Sequence, residues 1–364
     1  MPIEPKLQPM ISSPSFMKVR AILAKLLSCA CLMVWSTSVF AWDAAGHQVV
    51  GSIADQLLSA NSQQQIAQIL GYDLKTAGPW LDCVKSVQKK DDGSFQYTVD
   101  PQYEPPCTPF ANDHARMEDY AKRNWFDCRY PPQGTDRGCH QTYHFSDVAV
   151  QRDRFDRNFQ GTNDHDVVAA INAAIAVLVD RPAPLPFSII DKKEALFLIA
   201  HLLGDLHQPL HVSAAYLDKN GNFVDPDVNH TIDPSTDTAG GNFITDTAVS
   251  ANIKSFHIAD WDSIPADLEA NPVASPELMK LARLVPPDSG RIEDWSVVWA
   301  TDTVVVAHAA FSGVQFAPDP KGRGWIVSFT NGRDVYMNGA DDLKRNQLAK
   351  AGARLAELLN AIWP

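Results

Sequence analysis

The chain has 364 residues, 45% of them hydrophobic, and a formal charge of −12 at pH 7. That length can bury a large core, as one big domain or two modest ones. The acidity argues against tight duplex binding, which relies on basic residues meeting phosphates, and nothing points to an anionic membrane as partner.

Lys18, Arg20 and Lys25 precede an apolar stretch from Leu26 to Val34, and Val39 and Ala41 suit cleavage after Ala41. Residues 1–41 therefore read as a secretory signal peptide, with an apolar stretch too short for a stable transmembrane helix. The expected mature chain is Trp42–Pro364, exported as a secreted or periplasmic protein. The bases Lys6, Lys18, Arg20 and Lys25 against Glu4 leave that mature part at −15. Cys29 and Cys31 depart with the signal, whereas Cys83, Cys107, Cys128 and Cys139 remain. An even number in an oxidising compartment reads as two disulfides. Of the three pairings, Cys83–Cys107 with Cys128–Cys139 closes the shortest loops. No C-x-x-C pair supports a cysteine–zinc site.

Along the mature chain, helical spacing of apolar residues recurs over His47–Ser59, Gln64–Leu70 and Asp166–Leu178. Lys85–Thr142, rich in Pro, Gly, Asp and Cys, reads as a long loop. Asp191 with Glu194 forms a capping-box pattern ahead of a helix that is apolar nearly all round, and hence buried. A second loop spans Val212–Ala239, and a last helix, Asp341–Trp363, carries Leu348, Ala351, Leu355, Leu359 and Ile362 on one stripe. Loops of this length signal function more often than disorder. With no repeat and no linker, the expected fold is mainly α, one domain with long disulfide-bearing loops.

The buried helix carries the chemistry, in the run H-L-L-G-D-L-H-Q-P-L-H from His201 to His211. His201 and Asp205 stand four apart on one face, and His211 follows Pro209. Imidazole and carboxylate together suit a borderline-soft divalent ion such as zinc, and polar groups in an apolar helix are costly unless paired or metal-bound. A lone buried histidine would read as a hydrogen-bonded core residue. Three candidate ligands in eleven residues favour metal.

Further candidates follow in order: Trp42 and His47 in W-D-A-A-G-H; Asp82 in W-L-D; His144, Phe145 and Asp147 in H-F-S-D; the run Gly240-Gly241-Asn242; and His257 ahead of Trp261-Asp262. This series resembles the type I zinc-dependent single-strand nucleases, the nuclease/3′-nucleotidase branch of the zinc phospholipase C superfamily. Each motif is weak by itself, but five in the family's order are specific, and they run through most of the mature chain.

The resemblance implies three zinc ions in a cleft. One would take Asp82, His144, His201 and Asp205. A second would take the amine and carbonyl of Trp42, with His47 and a shared Asp205. The third would take His211, His257 and Asp262. Two metals sharing Asp205 could lower the pKa of a water while the third stabilises the leaving oxygen, so Asp82 and Asp205 would serve catalysis as ligands and no protein nucleophile is required. Phe145 and Asp147 fall where the family holds a nucleobase, which implies single-stranded substrate because stacking needs an unstacked base; ordinary core packing is the bland reading of Phe145. Lys85 falls where relatives place a base near the phosphate, as a point charge rather than a bidentate grip, or else is a solvated surface lysine. The activity implied is hydrolysis of single-stranded RNA and DNA to 5′-phosphate products, with 3′-nucleotidase activity alongside.

Two departures stand out. Relatives show H-x-x-W-D, but here Asp262 lies at i+5 from His257 and requires a bulge or bent helix; Asp260, at i+3, is the alternative ligand. The insert between Asp82 and His144 carries the mature cysteines and a decoy, Asn112-Asp113-His114-Ala115-Arg116. His207 reads as supporting the ligands at most, and His114, His140, His165, His230 and His308 as surface or capping residues. Asn229-His230-Thr231 is a glycosylation sequon. Two other functions compete: a phospholipase C, whose relatives typically end the third site with glutamate, and a non-catalytic zinc-binding protein on the same scaffold.

Overall fold

The computed structural model describes residues 1, 42–99, 104–129, 136–249 and 254–364, with the side chains of residues 104, 127–129, 136 and 137 not included. The chain divides into Met1–Ser38 and Val39–Pro364. The expected signal segment, apart from Met1, lies outside the described residues, and the second unit carries every helix and strand among them.

Helices dominate. The first, α1, runs Ala44–Asp55, followed by α2, Ala60–Leu70, the short α3, Leu74–Ala77, and α4, Trp80–Val84. The insert adds two antiparallel pairs, β1 (Val87–Lys89) with β2 (Phe95–Tyr97) and β3 (Asp127–Arg129) with β4 (Asp136–Gly138). Between them lie the one-turn α5, Glu104–Cys107, and α6, His114–Arg123. The segment Lys85–Thr142, expected as a loop, thus contains helix and strand, and Met117, Tyr120 and Ala121 of α6 bury a face that its charged sequence obscures. A disulfide joins Cys83 to Cys107, as expected. Cys139 is also disulfide-bonded, while the side chain of Cys128, its expected partner, lies outside the described residues.

After the short strand β5 (Val148–Ala149) come α7, Val167–Leu178, and α8, Lys192–His207. Asp166 and Asp191 cap these helices, accepting from Ala169 N at 2.9 Å and Glu194 N at 2.8 Å. Satisfying those otherwise orphaned donors stabilises each helix by about 1 kcal/mol. The reciprocal bond of Glu194 goes to Ile190 N, one residue short of the capping-box target. Every residue of α8 from Glu194 to His207 is buried. Its leucines (196, 198, 202, 203 and 206) are fully enclosed, each contributing roughly 1.5–3 kcal/mol by leaving water. The helix packs against α1, α7, the 19-residue α11 (Ile292–Ala310) and the 30-residue α12 (Arg333–Ile362).

A second, smaller core lies beside this bundle. Strand β6 (Ser213–Ala214) pairs parallel to β5; β7 (Ile244–Thr245) joins the hairpin β8 (Val314–Pro318) and β9 (Trp325–Phe329) in the order β7-β9-β8. A π-helix, Phe256–Asp262, buries Phe256 and Trp261 there among Leu210, Phe311, Phe316 and Trp325. The small helices α9 (Ala266–Ala270) and α10 (Pro276–Ala282) return the chain to the bundle. The final helix starts eight residues before the expected Asp341, since its first turns face this second core through Tyr336 and Ala340 rather than through the apolar stripe.

Candidate metal centre

Each motif reaches the centre by a local device. Trp80 of α4 stacks face to face on Phe197 of α8, with ring centroids 4.6 Å apart. That contact plants Asp82 beside α8, one helical turn from Lys85. The Trp42 indole donates to the Gly204 carbonyl at 2.9 Å, and Asp43 N donates to the Asp262 carbonyl at 3.0 Å, so the chain enters α1 across the site. His47 of α1 then stacks on His201 with centroids 3.7 Å apart. A Cβ at position 204 would lie 2.8 Å from His47 Nδ1, so only glycine permits this approach.

Five of the expected ligands meet around α8. His201 Nε2 lies 3.2 Å from Asp205 Oδ2, 3.7 Å from Asp82 Oδ1 and 3.0 Å from His144 Nδ1. His47 Nε2 lies 3.4 Å from Asp205 Oδ1. His201 Nδ1 donates to the Gly78 carbonyl at 2.8 Å, which fixes the tautomer and turns Nε2 inward, as an outer partner does for a metal-ligating imidazole.

Three more meet on the second core. His211 and His257 face each other, Nε2 to Nε2, at 3.0 Å, and Asp262 Oδ1 lies 3.2 Å from His257 and 3.7 Å from His211. Again the outer nitrogens are taken by carbonyls: His211 Nδ1 bonds His144 O at 2.9 Å and His257 Nδ1 bonds Gly240 O at 2.6 Å. Gly240, at φ +62°, aims that carbonyl, a conformation glycine adopts without strain. The i+5 spacing of His257 and Asp262 is accommodated by the π-helix. Asp260, the alternative, turns away and pairs with Arg333.

This donor set fits divalent cations. Zinc–ligand bonds of roughly 2.0–2.2 Å arranged tetrahedrally put ligand atoms about 3.3–3.6 Å apart, close to the 3.0–3.7 Å spacings found. The clusters His47–His201–Asp205, Asp82–His144–His201 and His211–His257–Asp262 each gather donor atoms within 4.8 Å. Both ring nitrogens of His47, His144 Nε2, Asp205 Oδ1 and Asp262 Oδ2 are buried without a hydrogen-bond partner. Orphaned polar atoms at that density are costly, and ligation would satisfy them.

The buried imidazoles shift in opposite directions, with His201 raised by Asp205 and Asp82 against its burial. Burial, aided by His201, holds His47 down at about 3, and burial with Lys85 does the same to His144. Against burial, Asp262 pushes His211 up to about 9. Burial alone would raise Asp205, yet His201 and His144 hold its carboxyl well below the usual range.

Lys85 is not a solvated surface lysine: its side chain is 5% exposed, and Nζ donates to Asp82 Oδ1 at 2.6 Å. Asp82 and Asp262 line one cleft, whose walls include Pro79, Ile258 and the Cys83–Cys107 disulfide. Phe145 is half-buried beside His144, and Asp147 is buried, its carboxyl raised by desolvation and by Asp237. Sequence reasoning missed Gln208, which donates to Asp262 Oδ1 at 2.7 Å; its place in H-Q-P-L-H was the one signal for it. His207 stays off the cluster, bonded to Leu203 O and Arg354. His140, expected at the surface, is fully buried next to Trp125 and Tyr120, a burial created by the folded insert.

Comparison with known families agrees. The family model of the S1/P1 nucleases matches residues 124–364, which include His144, His201, Asp205, His211, His257 and Asp262, while Trp42, His47 and Asp82 precede the matched segment. No curated protein matches the chain. The chain belongs to the S1/P1 nuclease family.

Proposed function

We propose, from that family membership, that the chain is a secreted zinc-dependent nuclease cleaving single-stranded RNA and DNA to 5′-phosphate products, with 3′-nucleotidase activity at the same centre. In this reading residues 1–41 are the signal peptide, 42–364 the nuclease domain, and cleavage frees the Trp42 amine to join His47 and Asp205. Three zinc ions complete the ligand sets: Asp82, His144, His201 and Asp205; Trp42, His47 and Asp205; His211, His257 and Asp262. The observation that carries the reading is the convergence of the histidines and aspartates of these sets into three groups, with buried, unpartnered atoms among them.

Bound there, zinc would supply Lewis acidity to activate water and offset charge on the phosphate. The protein's own groups do the rest. The carbonyl anchors of His201, His211 and His257 take their Nδ1 atoms and turn Nε2 toward the ion. Lys85 fixes Asp82 and places a positive charge next to the cleft. Phe145 would stack on a base, which only an unpaired strand presents. Asp147, its carboxyl raised by burial and by Asp237, would contact the base edge.

The test is digestion by purified protein beginning at Trp42 with zinc present. Single-stranded RNA and DNA should be cut to 5′-phosphate ends, duplex DNA spared, and a chelator should abolish turnover. Cleavage of short-chain phosphatidylcholine instead would make it a phospholipase C. Tight zinc without turnover would make it a binding protein.

A further inference from the structure

The π-helix poses a problem that its metal donors do not solve. Stretches with i→i+5 bonding are rare, so groups outside the helix must hold the extra residue in place. His257 and Asp262 face the cluster, while Asp260 and Trp261, between them, take partners on the first turns of α12. Arg333 Nη2 donates to Asp260 Oδ1, and Arg333 Nε donates to Asp246 Oδ2 at 2.5 Å. Trp261 Nε1 donates to Tyr336 Oη at 3.0 Å, and that hydroxyl donates to Ala310 O at 2.5 Å. Asp246 is itself tied to the approach of the π-helix, its N–H bonding Lys254 O at 2.8 Å. One guanidinium therefore spans the end of β7 and the helix that carries two ligands.

We infer that Arg333 is a positioning residue for the His211–His257–Asp262 site, its forked guanidinium setting the register that brings Asp262 onto His257. The inference rests on the proposed reading that this site holds a divalent ion. Asp246 and Asp260 are both buried, and a planar fork reaches one oxygen of each carboxylate at fixed separation, which a lysine's point charge does not. Without it, Asp246 would lose its paired cation, and Asp260 would turn toward solvent or toward Lys344, the other cation acting on it. Either motion unwinds the extra residue and moves Asp262 relative to His257.

The experiment measures zinc stoichiometry and site affinities, by chelator competition, on protein beginning at Trp42. R333M should weaken the third ion by roughly 10–100-fold, the usual effect of removing a group that orients a ligand, and leave the other two unchanged. R333K, which keeps charge without the fork, should fall between. A general loss of packing would instead weaken all three ions together, which would overturn the inference. Should R333M not fold, D260A carries the test, since alanine offers Arg333 no acceptor on the π-helix and leaves it paired with Asp246. Three ions of unaltered affinity in either folded variant would overturn the role of Arg333 only. A wild-type protein that never binds the third ion would overturn the metal reading itself, and this inference with it.

Discussion

The two halves of the centre are built on opposite principles. The first rests on α8, a regular helix enclosed on every side, where His201 and Asp205 meet because four residues make one turn. The second rests on a π-helix at the edge of a smaller core, where His257 and Asp262 meet across five residues only because α12 grips the intervening side chains. Where the scaffold is a buried α-helix, ligand geometry comes from the period of the chain. Where it is not, geometry depends on partners distant in sequence.

In the proposed reading, substitution at Asp205 should have the largest effect, since that carboxylate would be shared by both ions of the α8 group. Asp205→Asn should lower kcat/KM on single-stranded substrate by on the order of 10³-fold or more and remove two ions. Retention of all three ions would break the comparison. Asp262→Asn should cost roughly 10²-fold and remove one ion, leaving the α8 pair loaded. If it empties all three positions, the halves are not independent.

The disulfide braces α4, which carries Asp82 of the first half. Cys83 and Cys107 are 24 residues apart, and closing such a loop stabilises by about 3 kcal/mol. The C83S/C107S double variant should therefore lower Tm, and it should weaken the ion at Asp82 without affecting the third. Equal weakening of both would mean that the cleft wall serves the whole centre.

The smallest effect is the response of metal-free protein to pH. His211 is raised, so its contribution is complete below its ordinary value of 6.5 and is lost as pH climbs through about 9. His47 and His144 are lowered, so theirs is complete above 6.5 and is lost as pH falls toward about 3. Tm after chelation should accordingly decline on both sides of neutrality, and Asp262→Asn should flatten the alkaline limb only. An alkaline limb unchanged in that variant would separate His211 from Asp262.

The same contrast governs what the sequence reveals. The α8 group is legible because helical period and capping are local, and W-L-D and W-D-A-A-G-H mark the segments whose tryptophans prove to be the anchors. The choice between Asp260 and Asp262 is not legible, since it turns on Arg333, 73 residues beyond Asp260 in the chain. Burial of His140 and of Lys85 depends on the insert folding over them, and the insert's charged, proline-rich sequence conceals α6. Helix α11 and the β8–β9 hairpin are hidden for a related reason: α11 leaves Val298 and Val305 exposed, which blurs its apolar face.

Anomalous diffraction at the zinc edge, from crystals of protein beginning at Trp42, tests the central claim most directly. Three peaks are expected, two flanking the Asp205 carboxylate and one enclosed by His211, His257 and Asp262. A single peak, or peaks away from these side chains, would contradict the account.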